Sequence, residues 1–252
     1  MMLALSRSTT RKSPRCFSSF VFNPENFSNP NLPKNLNVID VPVTLATDES
    51  LKGFGKIVHH PDEFTVEKKN FEITPWPVSG WRQLDPGTGD EAGTTEGDFD
   101  VEWKGDYFYG HNLAIATENN FYLDGMAKLP ELCSHDETNN AMTSDKDSIY
   151  LWMSDYHPCG AQLFFPEKPI PFVVNLGPNT TGDDVRPEDM CAFYVPAGKG
   201  VYFHPSTWHN GVYTHSDHGK VRFLTRQSRV HARVGVSWAA EFNSILRVSL
   251  SL

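Results

Sequence analysis

Cysteine is scarce in this chain: four residues, at 16, 133, 159 and 191, with no CxxC pair. That spacing excludes a disulfide framework and suits a reducing compartment, with Cys133, Cys159 and Cys191 expected as free thiols. Long apolar runs are lacking as well. None approaches the ~18–20 residues that a membrane-crossing helix needs, so no membrane partner is expected. Positive charge is in deficit, with 22 Lys and Arg against 31 Asp and Glu and a net charge of -9. A surface built to neutralise phosphates would show a basic face, so nucleic acid is not an expected partner. The acidic stretch Gln83 to Asp98 (QLDPGTGDEAGTTEGD) lacks the D-x-[DN]-x-[DN]-G spacing of a calcium loop and reads as a solvated surface loop or lid. No internal repeat is evident.

Acid is also missing from the amino-terminal end, where nothing precedes Glu25 while Arg7, Arg11, Lys12 and Arg15 stand among Ser and Thr. Residues 1–20 therefore read as an organelle transit peptide, mitochondrial ahead of plastid, with a cytoplasmic protein bearing a basic tail as the alternative. The apolar centre Met1 to Leu5 is too short for a secretory signal. An Asn- and Pro-rich linker is expected over 21–37 and one folded domain over 38–252, a length that single barrels and sandwiches often reach.

What the chain has in abundance is short strand-like runs closed by turn residues, among 18 Gly and 18 Pro. VIDVPVTLA, FTVEKKNFEIT, NFYLDGM, SIYLWMSDYH, AQLFFP, PFVVNLG, CAFYVPAG, GVYFHP and VRFLTRQ each end at Gly, Pro or Asn-rich turns, and SLKGFGKIV reads as a turn or short helix leading into a strand. The expected class is all-β: a jelly-roll β-barrel with a few short helices, whose mouth gathers inward-facing polar side chains around a small ligand.

Two stretches carry the chemistry. In the first, Asp155-x-His157-x4-Gln162 places Asp155 and His157 on one face of a strand. In the second, Gly198 is followed by five residues and then by His204-Pro205-Ser206-Thr207-Trp208-His209. The pair resembles the two motifs of the cupin superfamily, with His209 at the second-motif histidine, His157 retained in the first, and Asp155 and Gln162 replacing its other ligands. Taken singly, each residue is as well explained as a hydrogen-bonded core group or a turn cap. At matched spacing they point to a polar site. Asp155, His157 and His209 form a ligand set for a divalent metal, Ni, Zn, Mn or Fe.

At finer grain, His157-Pro158-x3-Gln162-x-Phe164-x-Pro166-x-Lys168 and Gly198-x-Gly200-Val201-x2-His204-x3-Trp208-His209 resemble the ureidoglycolate lyase family. Asp183 and Arg186-Pro187-Glu188-Asp189 to Ala192-Phe193 fit the segment between them, and Gly53-Phe54-Gly55-Lys56-Ile57, His111-Asn112-Leu113-Ala114 and Phe223-Leu224-Thr225 resemble flanking strands. The resemblance implies a homodimeric cupin that cleaves a small ureido acid, ureidoglycolate, to glyoxylate and urea in purine and allantoin degradation. The stretch Gln83 to Asp98 and the ending RVHARVGVSWAAEFNSILRVSL depart from the family pattern. In this reading His204 transfers protons, Lys168 binds the substrate carboxylate, Gln162 orients substrate or water, and Trp208 packs in the core. Rivals are a metal-dependent cupin oxygenase, for which two histidines and a carboxylate also suffice, a hydrolase releasing ammonia, and a non-catalytic small-molecule-binding cupin.

Overall fold

The computed structural model describes residues 32–33, 35–64, 80–82, 84–85, 95–113, 120–129, 146–157, 160–227 and 233–252. The expected transit peptide and the run 65–74 lie outside them, as do Cys16, Cys133 and Cys159. Its strands are β1 (Asn37–Val41), β2 (Val43–Leu45), β3 (Gly55–Val58), β4 (Leu84–Asp85), β5 (Thr95–Lys104), β6 (Tyr107–Asn112), β7 (Asn120–Met126), β8 (Ser148–Leu151), β9 (Met153–Tyr156), β10 (Gln162–Pro166), β11 (Phe172–Gly177), β12 (Cys191–Val195), β13 (Gly200–Phe203), β14 (Trp208–Tyr213), β15 (Val221–Gln227), β16 (Arg233–Ser237) and β17 (Ser244–Ser249). Helical structure among the described residues comprises three 3-10 turns, a short helical stretch at 61–64 and the single turn Trp238–Phe242. The class is all-β, as the turn-punctuated strand runs require.

The strands form two sheets. One has the order β1-β17-β8-β7-β6-β5-β15-β10-β13-β3, the other β2-β12-β11-β14-β9-β16-β4. No ladder among the described residues joins the two, so this cupin-like sandwich is open where a barrel would close. A core of aliphatic and aromatic side chains from both sheets fills the space between them. Along β15, Val221, Phe223, Thr225 and Gln227 are buried while Arg222 is exposed, the alternation a two-residue repeat imposes. Phe164 sits at the centre of the aromatic packing, with ring centroids 5.4 Å from Phe99, 5.9 Å from Phe203 and 6.4 Å from Phe223. Each such buried ring contributes roughly 1.5–3 kcal/mol of transfer free energy.

Two runs that read as single strands are split between the sheets. In VIDVPVTLA, Pro42 has no N–H for a ladder; β1 pairs in parallel with β17 before it and β2 with β12 after it. In SIYLWMSDYH the break falls at Trp152, so β8 pairs with β17 and β9 with β14 and β16. The second crossing carries the chain from the large sheet into the small one just before Asp155.

Three boundaries differ from expectation. The linker expected over 21–37 ends earlier, because Leu32 and Leu36 are buried against Met126, Tyr150, Ala239 and Ile245. The loop expected over Gln83 to Asp98 is shorter: β4 includes Leu84 and Asp85, and Thr95 to Asp98 pair with β15. The extended tail contains a helical turn, Trp238–Phe242, capped by the Ser237 side chain and ended by Asn243 in the left-handed region.

Candidate functional site

β9 and β14 lie side by side, and Asp155 stands opposite His209 in their register. His157 follows Asp155 by two residues, so it shares that face. The three meet on the inner side of the small sheet, with their ligand atoms all within 4.8 Å of one another. The His157 and His209 rings are 4.8 Å apart, edge to face, and His209 Nε2 is 4.0 Å from Asp155 Oδ1. Both histidines are buried.

The sequence folds this way for local reasons. His204-Pro205-Ser206-Thr207 is a tight turn closed by Thr207 N–H donating to His204 O at 3.2 Å, with proline at its second position and Ser206 at φ 63°. That is the pattern of a type II turn. The turn is tied to both motifs, since Ser206 N–H donates to His157 O at 3.1 Å and Thr207 Oγ1 donates to Phe54 O at 2.8 Å. Beside it, the β11 to β14 ladder shifts register between Val174 and Leu176, a bulge next to His209. His209 Nδ1 lies 2.7 Å from Thr207 O. A carbonyl only accepts, so Nδ1 carries the proton and Nε2 presents its lone pair towards Asp155 and His157.

The donor set fits a divalent metal. Two neutral imidazoles and a carboxylate are the ligands of zinc, iron, nickel and manganese sites, and bonds of ~2.1 Å would need the side chains to draw together by about 1 Å from the present spacing. Gln162, opposite Phe203 on β10 and β13, shares the inner face, and the Phe203 ring is 5.5 Å from that of His209. Gln162 Nε2 donates to Gln227 at 3.4 Å, while its Oε1 is buried with no hydrogen-bond partner among the described residues.

His204 and Lys168 are not brought to this cluster. The His204 ring packs edge-on to Tyr202 at 5.8 Å, on the opposite face of the sheet from Phe203, because the type II turn begins at His204 and leaves the strand parity intact up to it. Lys168 is exposed beyond the far end of β10. The four strand steps from Gln162 to Pro166 span ~13 Å, and Lys168 follows beyond them, out of reach of a carboxylate held by the histidines. Trp208 packs in the core, 4.6 Å from the Tyr156 ring, with its Nε1–H donating to Gly182 O at 2.9 Å.

One residue of the site escapes the motif reading. Asp124 on β7 reaches from the large sheet to the small one, where the Gly211 N–H donates to its Oδ2 at 3.1 Å. Gly211 is two residues past His209. Burial, and then the charge of Asp155, push the Asp124 carboxyl up to about 7; donors from Tyr213 and Gly211 oppose the rise. The signal in the sequence was a lone acid in the apolar run NFYLDGM.

Comparison with known proteins places the cluster in a recognisable context. Residues 127–237 match the family model described as ureidoglycolate lyase. Among curated relatives, the ureidoglycolate lyase of Chelativorans sp. (strain BNC1) is 39% identical over 66 residues, 26% of this chain and 38% of that protein. The match therefore spans well under half of the relative's length. Over residues 127–237, the stretch that carries Asp155, His157 and His209, this chain resembles the ureidoglycolate lyase family.

Proposed function

We propose that the chain is a lyase acting on ureidoglycolate or a closely related ureido acid, releasing glyoxylate and urea. The observation that carries this reading is the convergence of Asp155, His157 and His209 on one inner face, within the family-matched segment. The substrate is a carbinolamide. Its elimination removes the hydroxyl proton, forms the carbonyl, breaks the carbon–nitrogen bond and returns a proton to the departing urea nitrogen.

Asp155, His157 and His209 would hold a divalent ion, which supplies positive charge for the substrate's carboxylate and hydroxyl. Lys168 is not placed to provide that charge. The Thr207 carbonyl fixes the His209 tautomer, so its Nε2 is available as ligand or base. Gln162 Oε1 is an acceptor in search of a donor, which suits orientation of a substrate N–H or of water. The buried Phe203 ring, 5.5 Å from that of His209, presents an apolar wall to the site.

The same two histidines and one carboxylate suit a non-haem iron oxygenase, so the deciding experiment measures both chemistries on one preparation. Purified protein with its metal content determined should release urea and glyoxylate from ureidoglycolate without oxygen uptake. His209→Ala should lower urea release by at least ~100-fold. Oxygen consumption coupled to turnover, ammonia in place of urea, or an unaffected His209→Ala variant would overturn the assignment.

A further inference from the structure

Asp124 carries a carboxyl group whose negative charge has little to offset it. Among the described residues no lysine or arginine pairs with it, and its protein donors are the Gly211 amide and the Tyr213 hydroxyl. A carboxylate has about four acceptor positions, so about two remain for something else. Taking such a group out of water without a countercharge is costly. The fold nonetheless makes room for it: a methyl at position 211 would stand 2.1 Å from Asp124 Oδ2, so a side chain there would displace the carboxylate.

The location is specific. Gly211 lies two residues past His209 on β14, and Asp155, which stands opposite His209, is close enough for its charge to act on Asp124, so the carboxylate stands near the histidine cluster. Asp155, His157 and His209 form one end of the site, suited through a metal to a hydroxy acid. Asp124 forms an end of opposite character that suits N–H donors and repels a carboxylate.

We propose that Asp124 is the specificity-determining residue of the site, its carboxylate accepting the N–H groups of the substrate's ureido moiety. Two parallel N–H groups of a planar ureido unit match two carboxylate oxygens, as in other bidentate pairs. The residue thereby selects a ureido acid over a plain 2-hydroxy acid and fixes which end of the substrate faces the histidines. This inference rests on the lyase reading above.

The test compares wild type with Asp124→Asn and Asp124→Ala, each confirmed folded by circular dichroism and thermal melting. The Michaelis constant for ureidoglycolate and the inhibition constant of glycolate, a 2-hydroxy acid without a ureido group, are measured for all three. Both substitutions should raise the ureidoglycolate constant about 10- to 100-fold, the cost of losing hydrogen bonds to a charged acceptor, and leave glycolate inhibition within about twofold. If wild type releases no urea, the lyase reading fails and this proposal with it. If wild type is active and the variants keep its ureidoglycolate constant, or lose glycolate inhibition in equal measure, Asp124 is not the ureido acceptor and the lyase reading stands.

Discussion

His209 faces two ways, and both its nitrogens are accounted for: Nδ1–H donates to Thr207 O and Nε2 looks towards Asp155. Across from it, Asp124 holds its proton more tightly in the folded chain than in the unfolded one, up to about 7 against an ordinary 3.8. Between these values the native state binds more protons than the unfolded state, so this group makes stability fall as pH rises from about 4 to about 7. Asp124→Asn removes the effect. In chelator-treated protein, the melting temperature of the variant relative to wild type should therefore climb between pH 5 and pH 8; a difference that stays level with pH would refute the assignment. Asp124 was legible in the sequence only as an acid in an apolar run, since its partner Gly211 lies 87 residues further on.

At the scale of elements, the site depends on strands meeting at close quarters. β3 packs on β13 with Phe203 opposite Gly55, and a methyl at 55 would stand 1.8 Å from the Tyr202 carbonyl oxygen. Gly55→Ala should cost about 3 kcal/mol or more in urea denaturation, because the obstructing atom is backbone and cannot rotate away. Substitution at the other end of the motif, Gly53, meets no atom within 4 Å but loses a left-handed backbone at φ 90°. The histidine motif was legible as a pattern, and its turn as Pro205 followed by a small residue. Whether His204 faced in or out was decided by where that turn starts, one residue beyond the strand β13.

For the whole molecule, a buried polar network clamps the back of the small sheet. Arg82 Nε donates to Asp183 O at 2.7 Å, its Nη1 pairs with Glu241 at 2.7 Å, and Tyr156 donates to Asp183 Oδ1 at 2.8 Å. It joins residue 82, the 3-10 turn Asn179–Asp184, β9 and the helical turn Trp238–Phe242, segments scattered over 160 positions from Arg82 to Phe242. Arg82→Ala leaves Glu241 without its cation and the Asp183 carbonyl without its donor, and should lower unfolding free energy by roughly 3 kcal/mol, read from a denaturant titration. A loss below 1 kcal/mol would show that the network is not cooperative. The sequence by itself determined the all-β class, from strand-length apolar runs closed by Gly and Pro, and the pair of histidines at cupin-like spacing, because both are local patterns. Only the tertiary structure decided that Pro42 and Trp152 send halves of single runs into different sheets, that Lys168 stands at the far end of β10, and that Asp124 reaches the Gly211 amide on the histidine strand. Those outcomes follow from long-range strand pairing, and the energy that selects a pairing belongs to residues far apart in the chain.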